Sequence, residues 1–336
     1  MKHLLISLLA LCSLPCTAQI QQESKEEILF RKILADPSAN EIEEALDHSR
    51  KLDLSPESVM VHDTIILANN NRLYIVSSEI EGYRHYGAVI IPSCAAKKYP
   101  VVIFATGGDG IHTQFDITSD FNHKAVQFPA FLGAGLDSNF IILIPGFRGQ
   151  ELIIGNKSFM SEGLVSDAFD GAATDALGFL NVAIKTFHQA DEDRIAIFGG
   201  SRGGTVSLLA AARDPRIKKA VVVAAPTDMK ALYQLYPDQF KLLFFKELFA
   251  GTITEAEARR RFIASSPIYF TNQLPAIQLH HDSGDPFVPL AFAKKLADSL
   301  MIKNNRTQFY TYNEGIHGFW DDKEYWKRVL DFLGVF

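Results

Sequence analysis

The chain has 336 residues, enough for one large α/β domain or two ordinary ones. With 47% hydrophobic and 21% charged residues, it has the composition of an ordinary globular protein with a sizeable core. The formal net charge is −6, and the basic residues are dispersed except for Arg259–Arg261, so the sequence gives no electrostatic support for nucleic-acid binding. We expect that triplet to lie on a solvated helix face.

Residues 1–18 have the features of a secretory signal peptide. One basic residue precedes an apolar stretch that is too short to span a bilayer, and no later segment is better suited to do so. We therefore expect a secreted or periplasmic protein, in which cleavage after Ala18 leaves Cys94 as the single cysteine and no internal disulfide. A lipid anchor at Cys16 is the less favoured alternative, because Pro15 stands where such a signal needs a small residue.

Residues 19–56 predict an N-terminal helical appendage. Ser24–Glu27 and Ser38–Glu41 both have the spacing of a capping box, which marks the start of a helix. Each predicted helix has one apolar face, which we expect to pack on the main domain.

Residues 57–336 predict a single α/β domain. Strands over 59–67, 73–77 and 87–91 read as antiparallel, because they are β-branched or aromatic and are separated by turn residues. After Pro100, short apolar strands alternate with helices, which is typical of a parallel sheet covered on both faces. The expected parallel strands are 101–105, 140–144, 194–198, 220–224, 276–280 and 308–312, and the expected helices are about 164–187, 202–213, 289–301 and 321–333. The pattern thus predicts a mostly parallel central sheet of about eight strands.

A helical insertion is expected at about residues 227–265, with a capping box at Thr254–Glu257. Its first half is rich in aromatic residues, which are Tyr233, Tyr236, Phe240, Phe244 and Phe245. These side chains are expected either to pack the insertion onto the domain or to cover the active site as a lid.

The strongest chemical signal is the Gly-x-Ser-x-Gly turn centred on Ser201. An apolar strand leads into the turn and an alanine-rich helix leaves it, which is the context of a nucleophilic serine. Gly199 and Gly203 supply the small residues that such a tight turn needs, and Gly204 allows the helix to approach the sheet.

A nucleophilic serine needs a histidine base and an orienting acid, and both are expected in loops that follow strands. Asp285 follows the strand at 276–280, and His317 follows the strand at 308–312. The carboxyl ends of strands are where catalytic groups collect in open α/β sheets. We therefore predict a triad of Ser201, Asp285 and His317, with Asp282 as the less favoured acid.

No metal or cofactor is expected. The cluster at His280, His281, Asp282 and Asp285 has metal-ligating residue types, but consecutive residues that leave a strand point in opposite directions. His112 lies too early in the chain to be the base and is expected to contact substrate or solvent.

The oxyanion hole is expected from backbone amides. One donor should be the N–H of Arg202, directly after the nucleophile, and the other should come from the loop at Thr106, Gly107 and Gly108.

Together these motifs resemble the α/β-hydrolase superfamily over about residues 86–334, and within it the catalytic domain of the prolyl oligopeptidase branch. Dienelactone hydrolases and acetyl xylan esterases are also similar. The motifs are Gly-Gly-Ser201-Arg-Gly-Gly, Ser265-Ser266-Pro267-Ile-Tyr, His281-x-x-x-Asp285-x-x-Val-Pro, Gly-x-His317-Gly and Pro145-Gly-Phe-Arg148-Gly149. The resemblance implies an α/β-hydrolase fold and serine hydrolase chemistry.

The chain departs from that branch at several positions. Asp282 stands where a glycine is usual, and Gln150 stands where a serine is usual. Thr106 stands where the peptidases carry a tyrosine and many esterases carry a histidine. The segment before the strands is too short for the propeller domain of prolyl oligopeptidases. These departures do not affect the resemblance to the superfamily, but they argue against a peptidase function.

The favoured function is therefore a secreted serine esterase acting on carbohydrate or small acyl esters. A prolyl oligopeptidase-like peptidase without the propeller is the alternative, and a non-catalytic binding protein on the same scaffold is a further one. The expected partner is a small-molecule, glycan or peptide substrate, and no oligomeric state follows from the sequence.

Overall fold

The computed structural model describes residues 25–67, 69–93, 98–108, 114–117, 133–302, 306–319 and 321–334. The expected signal peptide, the three cysteines and His112 lie outside these residues. Within the described ranges, no helix is both long enough and apolar enough to cross a membrane.

The described part of the chain begins with two helices and a run of strands, and strands and helices or groups of helices alternate from Ala190 onward. The strands are β1 (Glu57–Ile66), β2 (Arg72–Ile80), β3 (Tyr83–Ile91), β4 (Tyr99–Ala105), β5 (Gln114–Asp116), β6 (Ile141–Pro145), β7 (Glu151–Ile154), β8 (Lys157–Met160), β9 (Ala190–Gly200), β10 (Ile217–Val223), β11 (Ala276–Asp282) and β12 (Thr307–Tyr312). The helices are α1 (Lys25–Ile33), α2 (Ala39–Arg50), α3 (Leu136–Asn139), α4 (Asp170–Thr186), α5 (Arg202–Arg213), α6 (Met229–Leu235), α7 (Pro237–Phe249), α8 (Glu255–Ala264), α9 (Ala291–Ile302) and α10 (Lys323–Gly334).

Nine of the described strands form one sheet, in the order β1-β2-β3-β6-β4-β9-β10-β11-β12. The pairings from β6 to β12 are parallel, and the pairings β1–β2, β2–β3 and β3–β6 are antiparallel. The expected mostly parallel sheet is confirmed, with one strand more than the eight expected.

Strand β4 illustrates why the sheet is covered on both faces. Ile103 packs into one hydrophobic cluster with Leu180 of α4, and Phe104 packs into a second cluster with Val329 of α10. Successive side chains of a strand point to opposite faces, so a strand buried on both faces needs a continuous apolar run. Burial of each large apolar side chain contributes roughly 1.5–3 kcal/mol.

A second sheet of three described strands, in the order β5-β7-β8, was not expected from the sequence. Its strands have only three or four residues each. Segments this short do not establish the alternating pattern by which strands are predicted.

The insertion consists of α6, α7 and α8, followed by a 3₁₀-helix at Pro267–Gln273. The ring of Phe245 in α7 is fully buried and packs against Phe30 of α1 and Phe262 of α8. Aromatic side chains of the insertion therefore join it to the N-terminal helices.

The triplet Arg259–Arg261 is not a solvated face, and that expectation is wrong. Arg259 Nε lies 2.9 Å from Glu41 of α2, and Arg260 Nη1 lies 3.2 Å from Asp170 of α4. Each guanidinium of the triplet is mostly covered, because each meets a carboxylate.

A buried ion pair joins α4 to α5. Asp170 Oδ1 lies 2.6 Å from Arg213 Nη2, and both side chains are less than 10% exposed. Burial raises the pKa of Asp170, but the neighbouring Arg213 and Arg260 outweigh that effect and lower it. The carboxylate is therefore charged and fully paired inside the protein.

Candidate active site

Ser201 lies between β9 and α5 with backbone angles φ 54° and ψ −126°. A positive φ is uncommon for a residue with a side chain. The Ser201 N–H donates to the Val223 carbonyl at 2.8 Å, which fastens the turn to strand β10. The conformation places the serine at the carboxyl edge of the sheet and at the start of a helix.

The glycines around Ser201 are required by close backbone contacts. A Cβ on Gly199 would collide with the Gly203 carbonyl, and a Cβ on Gly203 would collide with the Ala105 carbonyl. Because the obstructing atoms belong to the backbone, they cannot move aside as a side chain does.

The structure brings Asp285 and His317 together. His317 Nδ1 lies 2.7 Å from Asp285 Oδ2, and the Asp285 side chain is fully buried. Asp285 Oδ1 also accepts from the N–H groups of Phe287 at 2.8 Å and Val288 at 2.9 Å. Burial raises the pKa of Asp285, but the hydrogen bonds from His317 and these two amides outweigh it and lower the pKa. Asp285 is therefore an ionised partner that orients the imidazole.

Asp282 is buried and has a different set of partners. Its Oδ1 accepts from Gly284 N–H at 2.7 Å and from Gly315 N–H at 3.0 Å. Its Oδ2 accepts from Glu314 N–H at 2.7 Å. Asp282 thus joins the loop of Asp285 to the loop that carries His317. This role was not expected from the sequence, although a carboxylate at a position where glycine is usual was a signal for it.

His280 and His281 lie on opposite faces of β11. His281 Nε2 donates to the Val288 carbonyl at 2.7 Å and lies 3.6 Å from Asp285. His281 therefore stabilises the loop that carries Asp285, called the acid loop below. His280 Nδ1 lies 2.8 Å from the Tyr312 hydroxyl, and burial lowers the pKa of His280 to about 3. In the described residues, no three His, Cys, Asp or Glu side chains are grouped as metal ligands would be.

The expected oxyanion residues meet beside Ser201. Arg202 Nη2 donates to the Gly107 carbonyl at 3.2 Å, so the guanidinium joins the start of α5 to the loop after β4. Gly108 has a φ of +115° and lines the same cavity as Ser201 and Arg202. Glycine adopts this φ without strain, which lets the backbone approach a bound carbonyl closely.

Thr106 and Gln150, which differ from the residues usual at these positions in the prolyl oligopeptidase branch, contact each other. Gln150 Nε2 donates to the Thr106 hydroxyl at 3.1 Å, and Gln150 Oε1 accepts from Phe147 N–H at 3.0 Å. Thr106 is buried, so its side chain serves to hold the loop after β4.

A cavity of about 330 Å³ opens at Ser201 and His317. The insertion forms one wall of it, and the Tyr236 hydroxyl donates to the Phe287 carbonyl at 2.7 Å. The Phe287 ring in turn meets the His317 ring edge-on, with the centroids 5.2 Å apart. The lining residues are Gly108, Phe169, Ser201, Arg202, Pro226, Leu232, Tyr236, Gln239, Phe240, Phe287, Val288 and His317.

The aromatic residues of the insertion have two separate roles. Tyr236 and Phe240 line the cavity. Tyr233, Phe244 and Phe245 pack in the hydrophobic cluster, to which Phe240 also belongs. The first half of the insertion therefore packs on the domain and also lines the cavity.

Two protein-family models match this sequence, each over more than half of the chain. The model of the prolyl oligopeptidase family matches residues 136–334. The model of the acetyl xylan esterase family AXE1 matches residues 39–229. No curated protein sequence matches significantly.

Solved structures show the same fold at low sequence identity. Acetyl xylan esterase 1 from Thermoanaerobacterium sp. JW/SL YS485 has a TM-score of 0.64 at 15% identity, covering 90% of this chain and 97% of that chain. The acetyl xylan esterase from Paenibacillus sp. R4 has a TM-score of 0.61 at 15% identity, covering 91% and 98%. A puromycin-hydrolyzing peptidase of Mycobacterium tuberculosis has a TM-score of 0.60 at 19% identity, covering 80% of this chain and 40% of that chain.

Proposed function

This chain belongs to the prolyl oligopeptidase and acetyl xylan esterase families of α/β-hydrolases and is a serine hydrolase, and on that premise we propose that it hydrolyses esters through an acyl-enzyme on Ser201. The observation that carries the proposal is that His317 lines the same cavity as Ser201 and forms a hydrogen bond of 2.7 Å with the buried Asp285.

In the first step Ser201 Oγ attacks the ester carbonyl, while His317 Nε2 takes the hydroxyl proton. Asp285 holds the imidazole through Nδ1 and stabilises the positive charge that forms on it. The tetrahedral oxyanion accepts hydrogen bonds from the Arg202 N–H and from the N–H groups of Gly107 and Gly108.

Collapse of this intermediate expels the alcohol, which receives its proton from His317. Water then attacks the acyl-enzyme with His317 again acting as the base, so the acid is released and Ser201 is restored. Every step uses side chains and amides of the chain, and no cofactor is required.

Intact-mass measurement with a fluorophosphonate tests the assignment of the nucleophile. We expect one adduct on the wild-type protein and none on Ser201→Ala, together with a loss of kcat on the order of 10⁴-fold or more for a 4-nitrophenyl ester. An adduct that persists on Ser201→Ala would place the reactive group elsewhere.

Peptide hydrolysis is the second candidate, because the prolyl oligopeptidase model matches the part of the chain that holds Ser201, Asp285 and His317. A peptidase that recognises a free amino terminus needs a carboxylate to pair with the ammonium. None of the described residues that line the cavity is an aspartate or a glutamate. Comparison of an aryl ester with an aminoacyl 4-nitroanilide separates the two functions.

We also propose that the protein is secreted or periplasmic after removal of residues 1–18. The sequence features of that segment support the proposal. Mass spectrometry of protein exported by a bacterial host should give a mature chain beginning at Gln19. A diacylglycerol-modified Cys16 would support the lipid anchor instead.

A further inference from the structure

We propose that the cavity at Ser201 selects uncharged, apolar acyl groups larger than acetyl, such as linear chains of four to eight carbons. This inference rests on the proposed esterase function and names its substrate class. It follows from the chemistry, the charge and the size of the cavity wall.

The wall is mainly apolar. Seven of the twelve described lining residues present an aromatic phenyl or phenol ring or an aliphatic side chain, and they are Phe169, Pro226, Leu232, Tyr236, Phe240, Phe287 and Val288. The insertion contributes Leu232, Tyr236 and Phe240, so the same segment that covers the site also sets its polarity. Such a surface stabilises a bound hydrocarbon and offers few hydrogen-bond partners to a sugar hydroxyl.

Two polar side chains of the wall are engaged with backbone carbonyl groups. The Tyr236 hydroxyl donates to the Phe287 carbonyl, and the Arg202 guanidinium donates to the Gly107 carbonyl. The Arg202 guanidinium also lies 5.3 Å from the centre of the Phe147 ring. Apart from Arg202, Tyr236 and His317, the described lining residues carry no ionisable acid or base. The Arg202 guanidinium is the one permanently cationic group among the described lining residues, and it is already held by these contacts. A carboxylate on the acyl group would therefore lose its hydration without gaining an unengaged cation.

The cavity is also larger than an acetyl group needs. Its volume of about 330 Å³ lies in the range of sites that bind small organic molecules. An acetyl group would leave much of the apolar wall in contact with water. A longer acyl chain covers that wall, and each added methylene should raise kcat/KM by about threefold to fourfold until the cavity is full.

The first experiment measures kcat/KM for 4-nitrophenyl acetate, butyrate, hexanoate and octanoate. We expect the wild-type protein to prefer butyrate or a longer ester over acetate by at least about tenfold. Leu232→Trp should fill the cavity and abolish this preference while acetate is still hydrolysed. Leu235→Trp is the matched control, because Leu235 lies on the same helix, is exposed and does not line the cavity.

The second experiment places a charge at the cavity on an exposed residue, so folding is not at risk. It compares 4-nitrophenyl hexanoate with the mono-4-nitrophenyl ester of adipate, which carries a carboxylate in place of the terminal methyl group. For the wild-type protein, kcat/KM should be about 100-fold lower for the adipate ester than for the hexanoate ester. Gln239→Lys should narrow the difference by about threefold to fivefold, as expected for an exposed ion pair. Gln234→Lys, on the same insertion but outside the lining, should leave it unchanged.

The outcomes separate this inference from the proposed function. Ser201-dependent hydrolysis that is fastest with acetate, or equally fast with adipate and hexanoate, overturns the acyl preference and leaves the esterase function standing. A folded protein that hydrolyses none of these esters overturns both.

Discussion

Ser201, Asp285 and His317 were predictable as candidates because each one follows a strand in a locally distinctive sequence. The glycines around Ser201 are required by close backbone contacts at the turn, and they are visible in the sequence as the Gly-x-Ser-x-Gly motif. The role of Asp282 was not predictable in the same way. Its partners Glu314 and Gly315 lie about thirty residues away along the chain, and only the fold brings them together.

Asp282 yields a prediction at this scale. Asp282→Ala removes the acceptor of three amide hydrogen bonds that fix the histidine loop against the acid loop. We expect kcat to fall by about 100-fold with KM changed by less than about threefold, because misplacement of the base affects chemistry more than binding. Steady-state kinetics with a 4-nitrophenyl ester provides the measurement.

Ser283→Ala is the control for that variant. It removes the bond of 2.9 Å from the Ser283 hydroxyl to Asn313, which joins the same two loops at an exposed position. Asp282→Asn keeps one acceptor oxygen and should recover part of kcat. Equal values of kcat and KM in Asp282→Ala and Ser283→Ala would contradict the role of Asp282 in positioning the loop that carries His317.

At the scale of elements, the sequence predicted the long buried strands and helices better than the contacts between them. The apolar runs of β4, β9 and β10 identified a sheet covered on both faces. The short strands β5, β7 and β8 carried no such pattern. The arginine triplet of α8 was misread because Glu41 of α2 and Asp170 of α4, which pair with Arg259 and Arg260, lie far away in the sequence.

The buried pair of Asp170 and Arg213 should dominate the stability of the contact between α4 and α5. Asp170→Asn leaves Arg213 buried without its counter-charge, and we expect it to lower the free energy of unfolding by about 3–5 kcal/mol. Asp191→Asn is the matched control, because it weakens a more exposed pair with Arg194 and should cost about 1 kcal/mol or less. Urea unfolding measures both, and similar losses for the two variants would contradict this account.

At the scale of the whole molecule, the N-terminal helices, the insertion and the active-site cavity form one continuous chain of contacts. Arg259 of α8 donates to Glu41 and to the carbonyl groups of Ile33 and Ala35 at the end of α1. The insertion that receives these contacts forms a wall of the cavity. The described N-terminal helices therefore support the insertion, and none of their residues is among those that line the cavity.

Helix α8 and its contact with α2 should weaken in acid. Hydrogen bonds from arginines lower the pKa of Glu41 to about 2, through Arg259, and that of Glu257 to about 2, through Arg260. Their stabilisation is complete above their ordinary pKa near 4.5 and is lost as pH falls toward 2. We expect the double variant Glu41→Gln/Glu257→Gln to be less stable than wild type by about 1–2 kcal/mol at pH 7, after allowance for solvent screening.

Chemical unfolding between pH 7 and pH 2.5 checks this prediction. The difference between wild type and the double variant should shrink steadily below pH 4.5. Glu43→Gln, on the exposed side of α2, is the control and should differ little from wild type at any pH. A difference that stays constant across the range would show that the two carboxylates do not stabilise the fold through their charge.

The alternation of side chains along β4 limits how the gene is able to change in length. Ile103 and Phe104 belong to two hydrophobic clusters on opposite faces of the sheet. Deletion of one codon before them would exchange the two faces and pull the loop of Gly107 and Gly108 back by about 3.3 Å. Insertions and deletions should therefore be accepted in the surface loops and rejected within this strand.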